Sequence, residues 1–166
     1  PADAGWIIAV SEIMGIVGML VAGWATDKFF KGRAHRTCVF CMLGAASFMA
    51  IFYFLPGTSP VVVLAGVLGM VGFFIYGPQA LLGVAASQQA TKRVCATANG
   101  ILGIFGYAAT TVSGIGFGFL ADKMGWNSVF FVAVLFGAIG CLVIATLWKA
   151  PADGYEKADK VLKEMK

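Results

Sequence analysis

The fold is decided by residues 37–91, TCVFCMLGAASFMAIFYFLPGTSPVVVLAGVLGMVGFFIYGPQALLGVAASQQAT, a run of 55 residues without Asp, Glu, Lys or Arg. Its only turn-forming interruption is residues 56–60, PGTSP, which divide the run into two apolar stretches. An α-helix rises about 1.5 Å per residue, so roughly 20 apolar residues cross the hydrocarbon core of a bilayer. The sequence therefore predicts two membrane-spanning helices joined by a tight turn.

The composition of the remaining chain extends this prediction. Hydrophobic residues make up 60% of the chain and charged residues only 12%, whereas soluble domains carry about 25% charged residues. Because lipid offers no hydrogen bonds to the backbone, apolar spans form helices. We predict an all-α transmembrane domain over residues 1–150 and a polar tail over 151–166 that forms a short cytosolic helix. The five predicted spans are residues 6–25, 37–55, 61–87, 96–121 and 127–148.

The basic residues predict the orientation of these spans. Eleven of the twelve lysines and arginines fall on one side of the predicted membrane, in the loops after spans one and three and in the tail, and only Lys123 falls on the other. Cytoplasmic loops of membrane proteins are enriched in Lys and Arg, so we expect an external N-terminus and a cytoplasmic tail. Because these charges lie in loops and a tail, they do not predict a nucleic-acid partner.

A short repeat suggests internal symmetry. Residues 23–28, GWATDK, end span one, and residues 118–123, GFLADK, end span four. Span one descends to the cytoplasm and span four ascends from it, so the two units have opposite orientation, which is typical of inverted-repeat transporters. The alternative is that each lysine merely extends from a helix end towards the membrane surface.

Longer motifs carry a family resemblance. Residues 23–33, GWATDKFFKGR, resemble the cytoplasmic loop motif of the major facilitator superfamily. Residues 74–79 (FIYGPQ), 96–100 (ATANG) and 103–107 (GIFGY) resemble the organophosphate:phosphate antiporters. That family comprises glycerol-3-phosphate and hexose-6-phosphate transporters and a related hexose-phosphate sensor. The resemblance implies that the chain is helices eight to twelve of a twelve-helix protein, whose N-terminal helices are its partners.

The resemblance also implies a function. It predicts exchange of a sugar phosphate or glycerol phosphate for inorganic phosphate by alternating access, without enzymatic chemistry or a cofactor, in a bacterial inner membrane. A membrane sensor that binds hexose phosphate without net transport is the alternative, and an orphaned structural fragment is another. Family arginines that hold phosphate lie on the first and seventh helices, and the predicted spans here contain no Lys or Arg. Residues implied to gate the transport cycle are Gly23, Asp27, Lys28, Arg33 and Pro78.

Polar groups within the spans are the candidate substrate-binding residues. Glu12 is the only acid well inside a span, and a carboxylate at membrane depth marks a cavity unless it is shallow. Pro78 predicts a kink in span three, which would break the helix near a site. Two polar or small stripes at helical spacing follow, and the alternative for their side chains is hydrogen bonding between helices. The predicted substrate-binding residues are Glu12, Tyr76, Gln79, Asn99 and Tyr107, and the stripes contain Gly72, Tyr76, Gln79, Gly83 and Ser87, and Asn99, Gly103, Tyr107, Thr110 and Gly114.

The cysteines and the single histidine do not indicate a metal or redox site. Cys38 and Cys41 have C-x-x-C spacing at the start of an apolar helix, with no second cysteine pair nearby. Burial as small hydrophobic side chains is the better interpretation. His35 is predicted to lie in a basic loop. We also expect Gly114 and Gly118, a G-x-x-x-G pair, to form a helix contact.

Overall fold

The computed structural model contains five long helices. It describes residues 2–56, 58–91 and 93–150, together with residues 152, 156, 160, 161 and 164, and no strand occurs among them. In chain order the helices are α1 (Ala2–Phe30), α2 (Ala34–Phe54), α3 (Val61–Gln89), α4 (Cys95–Met124) and α5 (Trp126–Ala145).

Each helix is long and apolar enough to cross a membrane, which confirms the predicted all-α transmembrane fold with five spans. Helices α1 and α4 extend past the predicted spans at both ends, and α3 extends past its span at the C-terminal end only, because the residues that flank an apolar window continue the same backbone hydrogen bonding. The predicted tail helix falls largely outside the described residues, and so does Lys92, a basic residue of the loop after span three.

The helices alternate in direction between two ends of the bundle. We call the end that carries the α1–α2 turn, the α3–α4 connection and the end of α5 the basic end, because Lys28, Lys31, Arg33, Arg36, Arg93 and Lys149 lie there. Helix α1 runs towards the basic end and α4 runs away from it, which is the relation that the repeat of residues 23–28 and 118–123 predicts.

Helix α3 is the centre of the packing. It lies against both α1 and α2, and α2 also packs against α5. A cluster of buried small side chains joins α1, α2 and α3: Ala22, Ala34, Cys38, Cys41 and Leu81. Cys38 and Cys41 are thus buried core residues, as the sequence favoured. Helix α4 contacts α3 and α5 lightly and contains no buried residue.

Glycines set the close approach of α1 and α3. A Cβ built at Gly18 would overlap the backbone of Phe73 and lie 2.8 Å from the Phe73 Cα. A Cβ built at Gly72 would overlap the backbone of Ser11 and lie 3.1 Å from the Ser11 carbonyl carbon. Side chains this small let helix backbones pack closely, which drives association within lipid. The predicted contact at Gly114 and Gly118 is wrong within the described residues: a Cβ at either would meet nothing within 4 Å, because α4 packs loosely.

Helix α3 continues through Pro78 without a break, and the predicted kink at this residue stays a prediction. Proline removes one backbone hydrogen bond, and the turns on both sides keep their own. Gly77 and Pro78 are both buried. A Cβ at Gly77 would lie 3.0 Å from Ala22 Cβ and 3.1 Å from Cys41 Sγ, so packing on two helices holds this part of α3 in place.

Hydrogen bonds tie the basic end together. Thr26 and Thr37 share a buried hydrogen bond of 2.7 Å between their hydroxyl oxygens, which joins α1 to α2. Gln88 Nε2 donates to the carbonyl oxygen of Gly32 at 2.8 Å and joins α3 to the turn between α1 and α2. Gly32 has φ +78°, a conformation in which glycine is favoured, so the sharp turn depends on it.

Candidate functional site

The carboxylate of Glu12 is paired with a phenol across the α1–α3 interface. Tyr76 donates its hydroxyl proton to Glu12 Oε2. Glu12 lies six residues after the predicted start of span one, about 9 Å along the helix axis, so a shallow position stays an alternative for it. Gly15, one turn further along α1, faces the tyrosine ring: a Cβ there would lie 2.5 Å from Tyr76 Cδ2. The α1 glycine therefore makes room for the ring that reaches the carboxylate.

A second polar site opens between α3 and α4. A cavity of about 500 Å³ lies there. Three of the predicted substrate-binding residues, Gln79, Asn99 and Tyr107, line it together, and Gln79 is one turn beyond Tyr76 on α3. The remaining lining residues are Leu82, Gly83, Leu102, Gly103, Gly106 and Thr110. Glu12 and Tyr76 are not among them, so the five predicted residues form two adjacent groups.

The stripe predicted on α3 divides for a structural reason. Its first members, Gly72 and Tyr76, face α1, whereas Gly83 and Ser87 face Asn99 on α4. Helices α1 and α4 contact the same side of α3 at different positions along its axis. Sequence spacing places the stripe on one side of a helix, but only the arrangement of the neighbours determines which residues line the cavity.

Asn99 joins the two helices at the basic end of the cavity. Its Nδ2 atom donates to Ser87 Oγ at 2.8 Å, and Ser87 Oγ in turn donates to the carbonyl oxygen of Gly83 at 2.8 Å. A Cβ at Gly83 would lie 3.2 Å from Asn99 Oδ1. The amide nitrogen thus holds α4 on α3, which is the interhelical role left open by the sequence, and its carbonyl oxygen makes no hydrogen bond with any described residue.

The chemistry of the cavity is neutral hydrogen bonding. Amide groups at Gln79 and Asn99 and hydroxyl groups at Tyr107 and Thr110 both donate and accept, and Leu82 and Leu102 add apolar surface. This combination suits a ligand rich in hydroxyl groups. No lining residue is cationic, and a desolvated phosphate needs cationic or several hydrogen-bonding partners.

Thr110 and Ser87 were not predicted as site residues, although both lie on the polar stripes. The signal for Thr110 was its spacing of three from Tyr107, which puts it on the same face of α4. Ser87 was identifiable only through its partner on α4.

His35 also differs from prediction: it lies in the first turn of α2 and is buried, because α2 begins at Ala34. Its Nε2 atom has no hydrogen-bond partner among the described residues.

The residues predicted to gate transport lie at the basic end, except Pro78. Asp27 is exposed and forms no ion pair with a described residue. Lys28 Nζ lies 4.7 Å from the centroid of the Trp24 ring, so the lysine folds along an aromatic side chain near the membrane surface. Arg33 precedes α2 at its N-terminus. A Cβ at Gly23 would meet nothing within 4 Å.

Comparison with known proteins gives the family. The model of the Major Facilitator Superfamily matches residues 1–164. A probable hexose phosphate transport protein of Chlamydia pneumoniae is 33% identical over 89% of this chain and 32% of its own length. A hexose-6-phosphate:phosphate antiporter of Salmonella typhimurium is 32% identical over 82% of the chain and 30% of its own. The membrane sensor protein UhpC of Escherichia coli is 29% identical over 85% and 32%.

The chain spans about a third of the length of the curated relatives that it matches. Its five apolar helices and the family match make it part of a multi-pass integral membrane protein, and the family consists of transporters rather than enzymes. The motifs in residues 23–33 had predicted this membership, and the match covers nearly the whole sequence. The chain belongs to the Major Facilitator Superfamily.

Proposed function

We propose that the polypeptide containing this chain exchanges a phosphorylated organic anion, a sugar phosphate or glycerol phosphate, for inorganic phosphate by alternating access. The observation that carries the proposal is the neutral, hydroxyl- and amide-lined cavity between α3 and α4. Such a cavity suits the organic part of a phosphate ester. Relatives named as a hexose phosphate transport protein and a hexose-6-phosphate:phosphate antiporter support the substrate class.

Different helices bind the two parts of the substrate in this proposal, because the residues that line the cavity are uncharged. Gln79, Tyr107 and the free carbonyl oxygen of Asn99 hydrogen-bond to the substrate hydroxyl groups. Because the lining residues are uncharged, the cations that neutralise phosphate come from other helices of the same polypeptide, at the first and seventh positions of the fold. This chain would then be helices eight to twelve.

Glu12 and Tyr76 act as a conformational sensor next to the cavity in this proposal. The Glu12 carboxylate, which is exposed in this chain, accepts a hydrogen bond from the tyrosine hydroxyl and is stabilised by it in one access state. Arrival of an anion, or of a cation from the opposing half, changes the stability of that pair and so shifts the balance between the two states. Pro78, two residues along α3, transmits the change along the helix.

The α1–α2 turn takes part at the basic end, which we place in the cytoplasm of a bacterial cell with the protein in the inner membrane. Asp27, Lys28 and Arg33 form charge contacts with the opposing half in one access state, and Gly23 leaves space beside α1 for its approach. The unpaired carboxylate of Asp27 supports this role, because it is free to accept a partner. The lipid bilayer, the phosphate ester and inorganic phosphate are the other partners; no nucleic acid is involved.

Phosphate counterflow tests the proposal. Proteoliposomes made with the native polypeptide are loaded with labelled phosphate and exposed to external glucose-6-phosphate or glycerol-3-phosphate. We expect efflux of label driven by one of the esters, and a slower efflux for Tyr107→Phe. Absence of ester-driven efflux from vesicles that do exchange phosphate for phosphate would contradict an organic-phosphate substrate.

A hexose-phosphate sensor is the second candidate, because the Escherichia coli relative is a membrane sensor protein at comparable identity. It would use the same cavity for binding. Saturable binding of glucose-6-phosphate, measured by calorimetry on the purified polypeptide, without any efflux in the vesicle experiment would identify the sensor. Binding together with efflux would identify the antiporter.

A further inference from the structure

Arg36 is held at the basic end where α2 begins and the chain leaves α5. Its Nε atom donates to the carbonyl oxygen of Trp148 at 3.2 Å. The guanidinium carbon lies 5.1 Å from the centroid of the Trp148 ring, in a cation–π contact. The terminal Nη groups donate to no described residue. The guanidinium is therefore positioned by two contacts while four of its five N–H donors stay available.

Exposed aromatic and aliphatic side chains adjoin this cation. The Phe40 ring lies between Phe30, 5.5 Å away between centroids, and Trp148, 6.0 Å away. Phe40 is 52% exposed and Leu43 is 51% exposed. Phe40 is four residues and Leu43 seven residues after Arg36, which puts both on the face of α2 that carries Arg36, one and two turns towards the middle of the span. An apolar strip thus runs from the guanidinium into the membrane.

Basic residues predominate among the described residues near Arg36. Lys31 and Arg33 lie in the α1–α2 turn, and Lys149 follows Trp148. Asp27 is the only acidic residue in α1–α5 at the basic end, and it forms no ion pair with a described residue. Basic residues at a membrane surface attract anionic lipids.

We propose that Arg36 binds the headgroup phosphate of an anionic phospholipid, whose acyl chain lies along Phe40 and Leu43. Guanidinium is planar, weakly hydrated and able to bind phosphate through two parallel hydrogen bonds. Trp148 stands where aromatic residues mark the membrane–water interface. The occupant is a lipid and not free phosphate, because the exposed strip beside the cation matches an acyl chain and would gain nothing from an inorganic ion.

Lipid binding to the native polypeptide tests this site. The detergent-purified protein is stripped of lipid and titrated with phosphatidylglycerol or with phosphatidylcholine of the same acyl chains, and adducts are counted by native mass spectrometry. Wild-type protein is expected to prefer phosphatidylglycerol. Arg36→Gln should weaken that binding at least about tenfold, whereas Lys31→Gln, which removes one charge from the same end, should weaken it by no more than about fivefold.

A second measurement on the wild-type protein does not depend on variant folding. Phosphatidylglycerol with a photoreactive group in its acyl chain is bound and irradiated, and the labelled peptides are sequenced. Labelling within residues 36–47 supports the site. Equal binding by Arg36→Gln and wild type, labelling confined to other helices, or displacement of the lipid by millimolar inorganic phosphate would each overturn it.

Discussion

Replacing Gly72 with alanine tests the packing that brings Glu12 to Tyr76. The new Cβ would overlap the carbonyl of Ser11 on α1, at 3.1 Å from its carbon and 3.3 Å from its Cα. These are backbone atoms, so no side chain can rotate away, and the two helices must separate. Overpacking of this kind costs about 1–3 kcal/mol, and we take the upper end because the obstacle is backbone. Ser11 precedes Glu12, so the same separation moves the carboxylate from the tyrosine.

Gly66→Ala is the matched control on the same helix, because a Cβ there would meet nothing within 4 Å. Alanine in a helix interior is more stable than glycine by about 0.5–1 kcal/mol. For Gly72→Ala the overpacking cost of about 3 kcal/mol is offset by about 1 kcal/mol from the helix preference of alanine, so the free energy of unfolding should fall by about 2 kcal/mol. For Gly66→Ala only the helix preference acts, so the free energy of unfolding should rise by up to about 1 kcal/mol. The difference of about 3 kcal/mol corresponds to roughly 150-fold in the unfolding equilibrium.

The assay measures the unfolding equilibrium of the native polypeptide in mixed detergent micelles. Steric trapping of the unfolded state reports its population. Phosphate exchange in vesicles is measured in parallel, and Gly72→Ala should lower it even under conditions in which the protein stays folded. Gly72→Ala and Gly66→Ala variants of equal stability would refute the argument that α1 and α3 touch at this glycine.

Three further predictions concern polar contacts. Tyr76→Phe should slow exchange of phosphate for the ester because Glu12 loses its hydroxyl donor. Tyr53→Phe, at the end of the bundle opposite the basic end, should leave the exchange rate unchanged. Equal rates in both variants would remove Tyr76 from the site. A double-mutant cycle of Ser87→Ala and Asn99→Ala should give a coupling of about 0.6 kcal/mol in unfolding free energy, and strict additivity would show that the α3–α4 hydrogen bond does not form. Asp27→Asn should reduce the maximal exchange rate more than the apparent ester affinity, and an unchanged rate would exclude the proposed charge contact.

The five helices were predictable because the apolar runs are long and the loops between them are short and polar. The 37–91 run alone fixes two spans, and the bilayer leaves helix as the only structure for them. Glu12 was also recognisable from sequence, since an isolated carboxylate inside a span is costly unless something stabilises it.

The contacts between helices were not predictable from spacing. Tyr76 and Gln79 are neighbours on one face of α3, yet one contacts α1 and the other the α3–α4 cavity. The glycines behave similarly: the G-x-x-x-G pair on α4 has open space around it, while Gly18 and Gly72 carry the close contacts. A short motif gives the face of one helix, and which helix lies opposite depends on the whole packing arrangement.

Protection of a cysteine in the α3–α4 cavity from alkylation tests the central claim most directly. Gly103→Cys places a thiol in this cavity with nothing within 4 Å of its Cβ, and Gly116→Cys does the same in the separate apolar cavity between α4 and α5. Both are made in the native polypeptide with Cys95 replaced by serine. We predict that saturating glucose-6-phosphate or glycerol-3-phosphate slows alkylation of Gly103→Cys at least about fivefold, as expected for an occupied site, and leaves Gly116→Cys unaffected. Bound ester with equal alkylation rates at both positions would contradict the claim that this cavity receives the substrate.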